Sequence, residues 1–281
     1  MIYLIIATVC FSLSFGLIKS QLAPLPSEFV VFVRLFIACI LFVPFFKIVN
    51  MKKQFFAGLI GVIQFGVMYL CFIKAFKYLQ GNEVALLTTT TPIFVALWSC
   101  MFGERFRFVY IICILMSVFG AGIIVWQNLT IDIIVKGVLL MEATNCSFAL
   151  GQVLWKKYIG ENEIKFMSSA YFGAVIFVLP FMLFGVDFAS LNISLNQILS
   201  LLYLGFIPTG LGFWLWNKGA TMVETSLLAI MNNLKIPLGV LFSIFLFKEN
   251  INVLNFVLGT SVIIFSIVLL HFSLKSVTKC K

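Results

Sequence analysis

The sequence predicts an all-α integral membrane protein: ten transmembrane helices forming two inverted five-helix repeats. Three observations lead there. Of 281 residues, 62% are hydrophobic and 10% charged, against about a quarter charged in an average soluble domain. The apolar runs are continuous and do not alternate at every second residue, which excludes a closed β-barrel. Slid against itself by 136 residues, the chain also matches itself in a run at constant offset. Ten segments of about 20 residues each would occupy roughly 200 positions, leaving no room for a separate soluble domain.

Charges and turn residues delimit the spans. The first, 2–19, has no basic residue before it and is followed by Lys19, so it reads as a mature helix and not as a signal peptide. The second, 28–46, stops at Lys47; the third, 54–73, lies between Lys53 and Lys74; the fourth, 84–102, ends at Gly103-Glu104-Arg105; the fifth, 108–126, begins after Arg107. In the second half, 137–155 lies between Lys136 and Lys156, 166–186 between Lys165 and Asp187, and 198–217 ends at Lys218. Spans 225–247 and 251–272 complete the set, one bounded by Glu224 and Lys248 and the other running toward Lys275. Each is long enough for a tilted membrane helix.

The formal charge of +9 fits cytoplasmic loops facing anionic lipid better than a nucleic-acid partner. With the N-terminus inside, the inner loops and tail receive twelve cations (Lys47, Lys52, Lys53, Arg105, Arg107, Lys156, Lys157, Lys165, Lys218, Lys275, Lys279 and Lys281). The outer side receives five (Lys19, Lys74, Lys77, Lys136 and Lys248), and Arg34 and Lys235 stay in the bilayer. The expected location is the cell (inner) membrane with both termini cytoplasmic. Six of the seven cysteines lie inside apolar runs and Cys280 stands in the tail, so no disulfide framework is implied.

At the 136-residue offset Ala7, Thr8 and Cys10 pair with Ala143, Thr144 and Cys146, and Phe36, Ala38, Ile40, Pro44 and Phe45 with Phe172, Ala174, Ile176, Pro180 and Phe181. After a nine-residue shift, absorbed by the loop at 187–196, Ala75, Pro92 and Glu104 pair with Ala220, Pro237 and Glu249. The halves are 1–127 and 128–281. Five helices is an odd number, so the second half enters upside down, the inverted-repeat plan of secondary transporters. The motifs Lys74-Ala75-Phe76-Lys77-Tyr78-Leu79, Ala85-Leu86-Leu87, Thr91-Pro92-Ile93-Phe94 and Gly103-Glu104-Arg105 resemble the signature of the ten-helix drug/metabolite transporter superfamily, EamA type. A second copy is similar: Lys218-Gly219-Ala220, Leu227-Leu228-Ala229, Ile236-Pro237-Leu238 and Glu249, with Lys248 in place of the usual glycine. The resemblance implies transport, of substrates ranging from amino acids and organic anions to nucleotide-linked metabolites, sugars and cofactors.

Ionisable groups at membrane depth cost about 2.5–3.5 kcal/mol on insertion scales, so each needs a partner or an aqueous cavity. Lys235 follows Glu224 by 11 residues, roughly 16 Å along a helix axis, near the midplane. Asn232, Lys235 and Gly239 share a helix face, with Asn233 beside them. Lys235 reads as a cation for a substrate carboxylate or phosphate, or as part of interhelical hydrogen bonding; the two asparagines carry the same alternatives. Glu142, Asn145, Ala149 and Gln152 form a polar stripe on the sixth span. Glu142 is aligned with Ile6, so its carboxylate occurs in one half only. It stands as substrate contact, coupling residue for protons, or neutraliser of Lys235 or Arg34; the multidrug relatives of the superfamily carry a coupling glutamate in their first helix. Arg34, two turns after Glu28, reads as structural or as reaching the outer headgroups. Gln64, the threonine run with Thr88 and Thr91, and Asn217 with Trp214 and Trp216 offer hydrogen bonds and aromatic walls. Pro92 and Pro237, matched in the two halves, are expected to break their helices at mid-membrane, free carbonyls toward a ligand and serve gating. Glu104 and Glu249 read as capping residues at the membrane surface.

An enzyme is not expected. There is no His-Glu-x-x-His pattern, no paired-aspartate magnesium site and no phosphate loop, and neither a cofactor nor a metal is called for. The expected function is secondary transport, by alternating access, of a small polar metabolite. An amino acid or amine-containing metabolite leads, an organic anion or nucleotide-linked metabolite comes next, and a membrane-embedded enzyme or scaffold subunit is the alternative of another class. The partners are the substrate and the lipid bilayer, not nucleic acid; a homodimer is left open. The twelve-to-five cation split makes a testable prediction. An impermeant thiol reagent applied to intact cells should spare Cys280 and modify a cysteine introduced into 187–196; the reverse pattern would invert the topology.

Overall fold

The computed structural model describes residues 1–48, 50–79, 84, 87–104, 108–125, 135–160, 164–239 and 252–278. Among these the chain is all-helical. The helices are α1 (Ile2–Ser12), α2 (Ser27–Phe42), α3 (Met51–Gly61), α4 (Met68–Ala75), α5 (Thr91–Met101), α6 (Phe108–Val125), α7 (Val135–Tyr158), α8 (Ile164–Gly185), α9 (Leu195–Leu204), α10 (Phe213–Thr221), α11 (Thr225–Met231) and α12 (Val253–Thr278). Wide π-type turns, Val62–Val67 and Gly205–Gly212, join α3 to α4 and α9 to α10 without interrupting the rod. Six stretches are long and apolar enough to cross a membrane: Ser27–Phe45, Met51–Ala75, Val135–Tyr158, Ile164–Gly185, Leu195–Thr221 and Val253–Leu270. Shorter apolar helices are Ile2–Ser12, Thr91–Met101 and Phe108–Ile124. The ninth predicted span is described only to residue 239 and in short pieces; its remainder, with Lys248 and Glu249, lies outside the described residues, as does Cys280.

Local chemistry fixes several ends. The Asn50 side chain accepts the Lys53 backbone N–H at 3.0 Å and starts α3, and Ser194 and Gln197 form a reciprocal capping box at α9. After α5 and α7 the chain passes through Gly103 and Gly160, at φ +91° and +72°, a left-handed conformation that L side chains resist. Large apolar side chains ring the outside, Phe184 being 91% exposed, as a lipid-facing surface requires.

The helices interlock through small residues. Packed pairs are α2 with α8, α8 with α3, α2 with the Gly205–Gly212 turn, α4 and α5 with α7, α1 with α10 and α11, α5 with α11, and α6 with α12. Lipid gives helices no hydrophobic reason to associate, so close backbone approach supplies much of the attraction. A Cβ on Gly61 would overlap the backbone of Ala170, one on Gly173 the backbone of Gly58, and Gly120 and Gly259 face each other's carbonyls. Two glycines of α6 permit a matched test. At Gly120 an added Cβ meets the Gly259 carbonyl oxygen at 2.8 Å, whereas at Gly122 nothing lies within 4 Å. Gly120→Val should therefore lower the melting temperature of the purified protein, at an overpacking cost of about 1–3 kcal/mol, and Gly122→Val should not; equal melting of the two would refute the α6–α12 contact.

Candidate substrate site

Two helices break where the sequence places Pro92 and Pro237. Before α5 the chain turns at Thr89 and Thr90, and after α11 it passes through a 3-10 turn, Asn232–Leu234, before helix resumes over 235–239. Proline has no N–H for the carbonyl four residues back. For Pro92 that carbonyl is Thr88's, and the Thr91 hydroxyl donates to it at 2.7 Å. Other carbonyls at the breaks are also taken. Leu87 O accepts Asn145 Nδ2 at 2.8 Å and Thr90 Oγ1 at 3.0 Å; Thr89 O accepts Asn233 Nδ2 at 3.3 Å; Leu228 O accepts Asn232 Nδ2 at 2.9 Å. The breaks exist as the prolines indicated, but these carbonyls are satisfied by side chains and do not await a ligand.

Beside the breaks lies a cavity of about 80 Å³, room for several waters or a small polar group at on the order of 10–15 Å³ per water. Its walls are mainly aromatic, from Phe11, Tyr69, Phe72, Phe148 and Phe213, with Met68. Ser14, Thr88, Thr144 and Asn145 add polar surface, and Arg34 and Lys235 add charge. The Lys235 ammonium lies 5.7 Å from the centroid of the Phe148 ring, and the one ion pair among the described residues is Glu28–Lys74 at 2.9 Å. Neither cavity cation, then, has a carboxylate partner there. Arg34, expected to be structural or to reach headgroups, is 1% exposed. Its Nε and one terminal nitrogen donate to Thr209 Oγ1 at 3.2 and 3.0 Å, and that same terminal nitrogen to Tyr69 OH at 3.0 Å.

Of the residues singled out from sequence, Lys235, Asn145 and Thr88 line this cavity. The others form a seam around it. The Glu142 oxygens, at 3.0 and 3.3 Å, share the single Thr90 hydroxyl proton with the Leu87 carbonyl, and Asn145 Oδ1, at 3.1 Å, shares that of Thr91 with the Thr88 carbonyl. Gln64 and Asn217 exchange hydrogen bonds at 2.8 and 3.3 Å, and Trp216 Nε1 donates to Gln152 Oε1 at 2.9 Å. Asn233 also donates to Ser117 Oγ at 3.3 Å. Trp214 carries Lys218 over its ring, 5.4 Å from the centroid. Further along α7, past Phe148 and Gln152, comes Lys156. Lys156 Nζ donates to Thr225 Oγ1 at 2.6 Å, which in turn donates to Glu104 Oε1 at 3.0 Å. Glu104 thus ties α11 to the end of α5, a role beyond capping. The residues that sequence reasoning missed are the aromatic lining and Thr209; phenylalanines in a chain holding 33 of them carry no mark that separates cavity from lipid.

The model of the EamA-like transporter family matches residues 1–126 and 135–272. The chain belongs to the EamA-like transporter family. This EamA-like chain is 35% identical to a probable biotin transporter of Pseudomonas aeruginosa, over 94% of this chain and 95% of that protein. It is 32% identical to a biotin transporter of Escherichia coli K12, over 95% of this chain and 91% of that one. A probable amino-acid metabolite efflux pump of Salmonella typhimurium is 26% identical over 79% of this chain and 78% of its own length. A solved crystal structure superposes with TM-score 0.72 over 94% of this chain and 97% of that chain, at 15% identity, which shows a shared fold. Family and relatives alike make this EamA-like protein a membrane-embedded, multi-pass transporter of a small metabolite, not an enzyme.

The amide pair of this EamA-like bundle is open to test. Asn217→Leu strands the Gln64 amide in a buried site, at about 1–3 kcal/mol, and should lower thermal stability; Gln64→Leu combined with Asn217→Leu should recover part of it. A double variant as unstable as the sum of the singles would argue against the pairing.

Proposed function

We propose that the chain is a secondary transporter for a small carboxylate of biotin-like build, with an anionic end, an apolar body and an uncharged hydrogen-bonding head. The observation that carries this reading is Lys235, an ammonium in a mostly aromatic cavity with no acidic or hydrogen-bonding partner among the described residues. An unpaired charge at this depth is costly, and a substrate carboxylate offsets the cost. The aromatic walls suit the apolar body, and the Ser14 hydroxyl, buried without a partner, suits the neutral head. The names of the two biotin-transporting relatives point the same way. The amino-acid reading has one observation in its favour: Glu142 is half-buried and reached through Thr90 by Asn145 of the cavity wall, where it could meet an amine.

On this reading ten helices form two inverted halves, 1–127 and 128–281, and expose the cavity to either side in turn. Several observations support it. The family model matches two stretches that coincide with the halves. Shifted by 145 residues, Val62–Val67 falls inside Gly205–Gly212 and the break before Pro92 falls on the break before Pro237. Packed pairs also exchange when the halves are exchanged, as α8 with α3 and α2 with α9, or α8 with Val62–Val67 and α2 with Gly205–Gly212. With both termini cytoplasmic, the hydrogen-bonded chain Lys156, Thr225 and Glu104 lies toward the inner side. Pro92 and Pro237 then mark the hinges. Glu142, lacking a counterpart in the other half, is the candidate proton carrier.

Proteoliposomes containing only this chain should take up labelled biotin saturably, and pentanoate should compete better than biotin methyl ester. Lys235→Met should lose uptake at unchanged thermal stability. Glu142→Gln should lose accumulation driven by a pH gradient and keep exchange between loaded compartments. Uptake of amino acids in place of biotin would sink the substrate assignment; absence of any uptake would favour the scaffold alternative.

A further inference from the structure

Arg34 is held on every side except the one that carries a counterion. A guanidinium has five N–H donors in a planar fork. Here Nε and one terminal nitrogen bond to Thr209 and Tyr69, while the other terminal nitrogen is buried without a partner among the described residues. The ring of Tyr69 lies against the group, 4.4 Å from Cζ to the centroid, and Tyr69 OH and Thr209 Oγ1 lie 3.1 Å apart. Thr209 is itself fixed: it sits in the wide turn Gly205–Gly212, and its carbonyl accepts the hydroxyl of Tyr171 from α8. Every one of these partners is neutral. Two separate segments, α4 and the wide turn, therefore orient the guanidinium and none neutralises it, an arrangement that makes little sense for a structural arginine, because a buried charge left unpaired is strongly unfavourable. Arg34 lines the same cavity as Lys235.

We propose that Arg34 is a second anion-binding residue of this cavity, its unpartnered terminal nitrogen receiving a carboxylate oxygen of the substrate, with Thr209 and Tyr69 as positioning residues. The inference rests on the carboxylate reading above. It divides the work between the two cations: the planar fork sets the orientation of a planar carboxylate, and the Lys235 ammonium adds charge without directional demand. Because Arg34 belongs to α2 and Lys235 to the segment after α11, a bound carboxylate also bridges the two halves of the chain.

The test is equilibrium binding of biotin, biotin methyl ester and pentanoate to the purified full-length protein, with melting temperature recorded for each variant. Wild type should prefer biotin to its ester. Arg34→Lys and Arg34→Gln should weaken biotin by about tenfold or more, the scale of one charged hydrogen bond, and leave the ester at its wild-type affinity, so that discrimination collapses. Thr209→Val, which keeps the arginine and removes its holder, should fall between. If the Arg34 variants keep the wild-type preference while Lys235→Met loses it, the Arg34 assignment falls and the carboxylate reading survives. If both Arg34 variants unfold and Thr209→Val discriminates as wild type does, Arg34 is structural and the assignment is overturned. If wild type binds pentanoate but not biotin, the substrate reading fails while loss of pentanoate in Arg34→Lys still supports the assignment. Equal binding of acid and ester by wild type, or no binding of either anion, overturns both.

Discussion

Hydrocarbon offers a freed backbone carbonyl no water, so a helix that breaks inside a membrane must find its replacement partners within the protein. Much of the polar inventory of this chain answers that constraint. Asn145, Thr90 and Thr91 repair the break before α5; Asn232 repairs the one after α11, and Asn233 reaches from that break across to the carbonyl of Thr89. Glu142 anchors the Thr90 hydroxyl. Repair and binding share residues: Asn145 holds the Leu87 carbonyl and lines the cavity with the same side chain. On the proposed reading, a substrate that displaced it would loosen the break and so link occupancy to helix movement.

Arg34 and Lys235 depart from that pattern. Other polar side chains of the described interior are neutral, and several pair with one another, as Gln64 with Asn217 and Gln152 with Trp216. The two cations face one cavity, and no carboxylate of the described residues reaches either. Each bears its own desolvation cost in a medium of low dielectric. On the proposed reading a substrate anion relieves that cost, whereas a zwitterion brings a second positive group that must find Glu142.

The all-helical membrane character, the two helix breaks beside the prolines and the interior placement of Lys235 were legible in the sequence because each follows from a one-dimensional signal: composition, a proline at a fixed offset, a charge far from any loop. What the sequence misjudged was direction. The stripe Glu142, Asn145, Ala149 and Gln152 does lie on one helix face, yet that face meets the break at Thr88–Thr91 and the indole of Trp216 more than it meets the cavity. Helical spacing says which residues share a side, not what stands opposite. Of the two alternatives the sequence left for Arg34, burial removes reach to the headgroups and keeps the structural one. Its distance from Glu28 suggested access to the surface, but the partners that bury it come from α4 and from the turn near Thr209, 175 residues away in the chain. The wide turns at Val62–Val67 and Gly205–Gly212 have no comparable sequence mark; glycine is present in both, as it is in many regular membrane helices.

A binding site in a symmetric scaffold has to be asymmetric if its substrate is. At the 145-residue offset Thr90 corresponds to Lys235, Met68 to Phe213 and Gln64 to Thr209. The first pair carries the difference in charge. Thr90 turns its hydroxyl to Glu142, whereas the repeat position of Glu142 in the first half is Ile6, which is exposed on the outside of the bundle. No carboxylate is therefore available to Lys235 from the position that serves Thr90. Gln64 and Thr209 diverge in the same sense: one is spent on the amide pair with Asn217, the other on orienting Arg34. On the proposed reading, substitutions at two such positions make one copy of the motif packing and the other a receptor for charge.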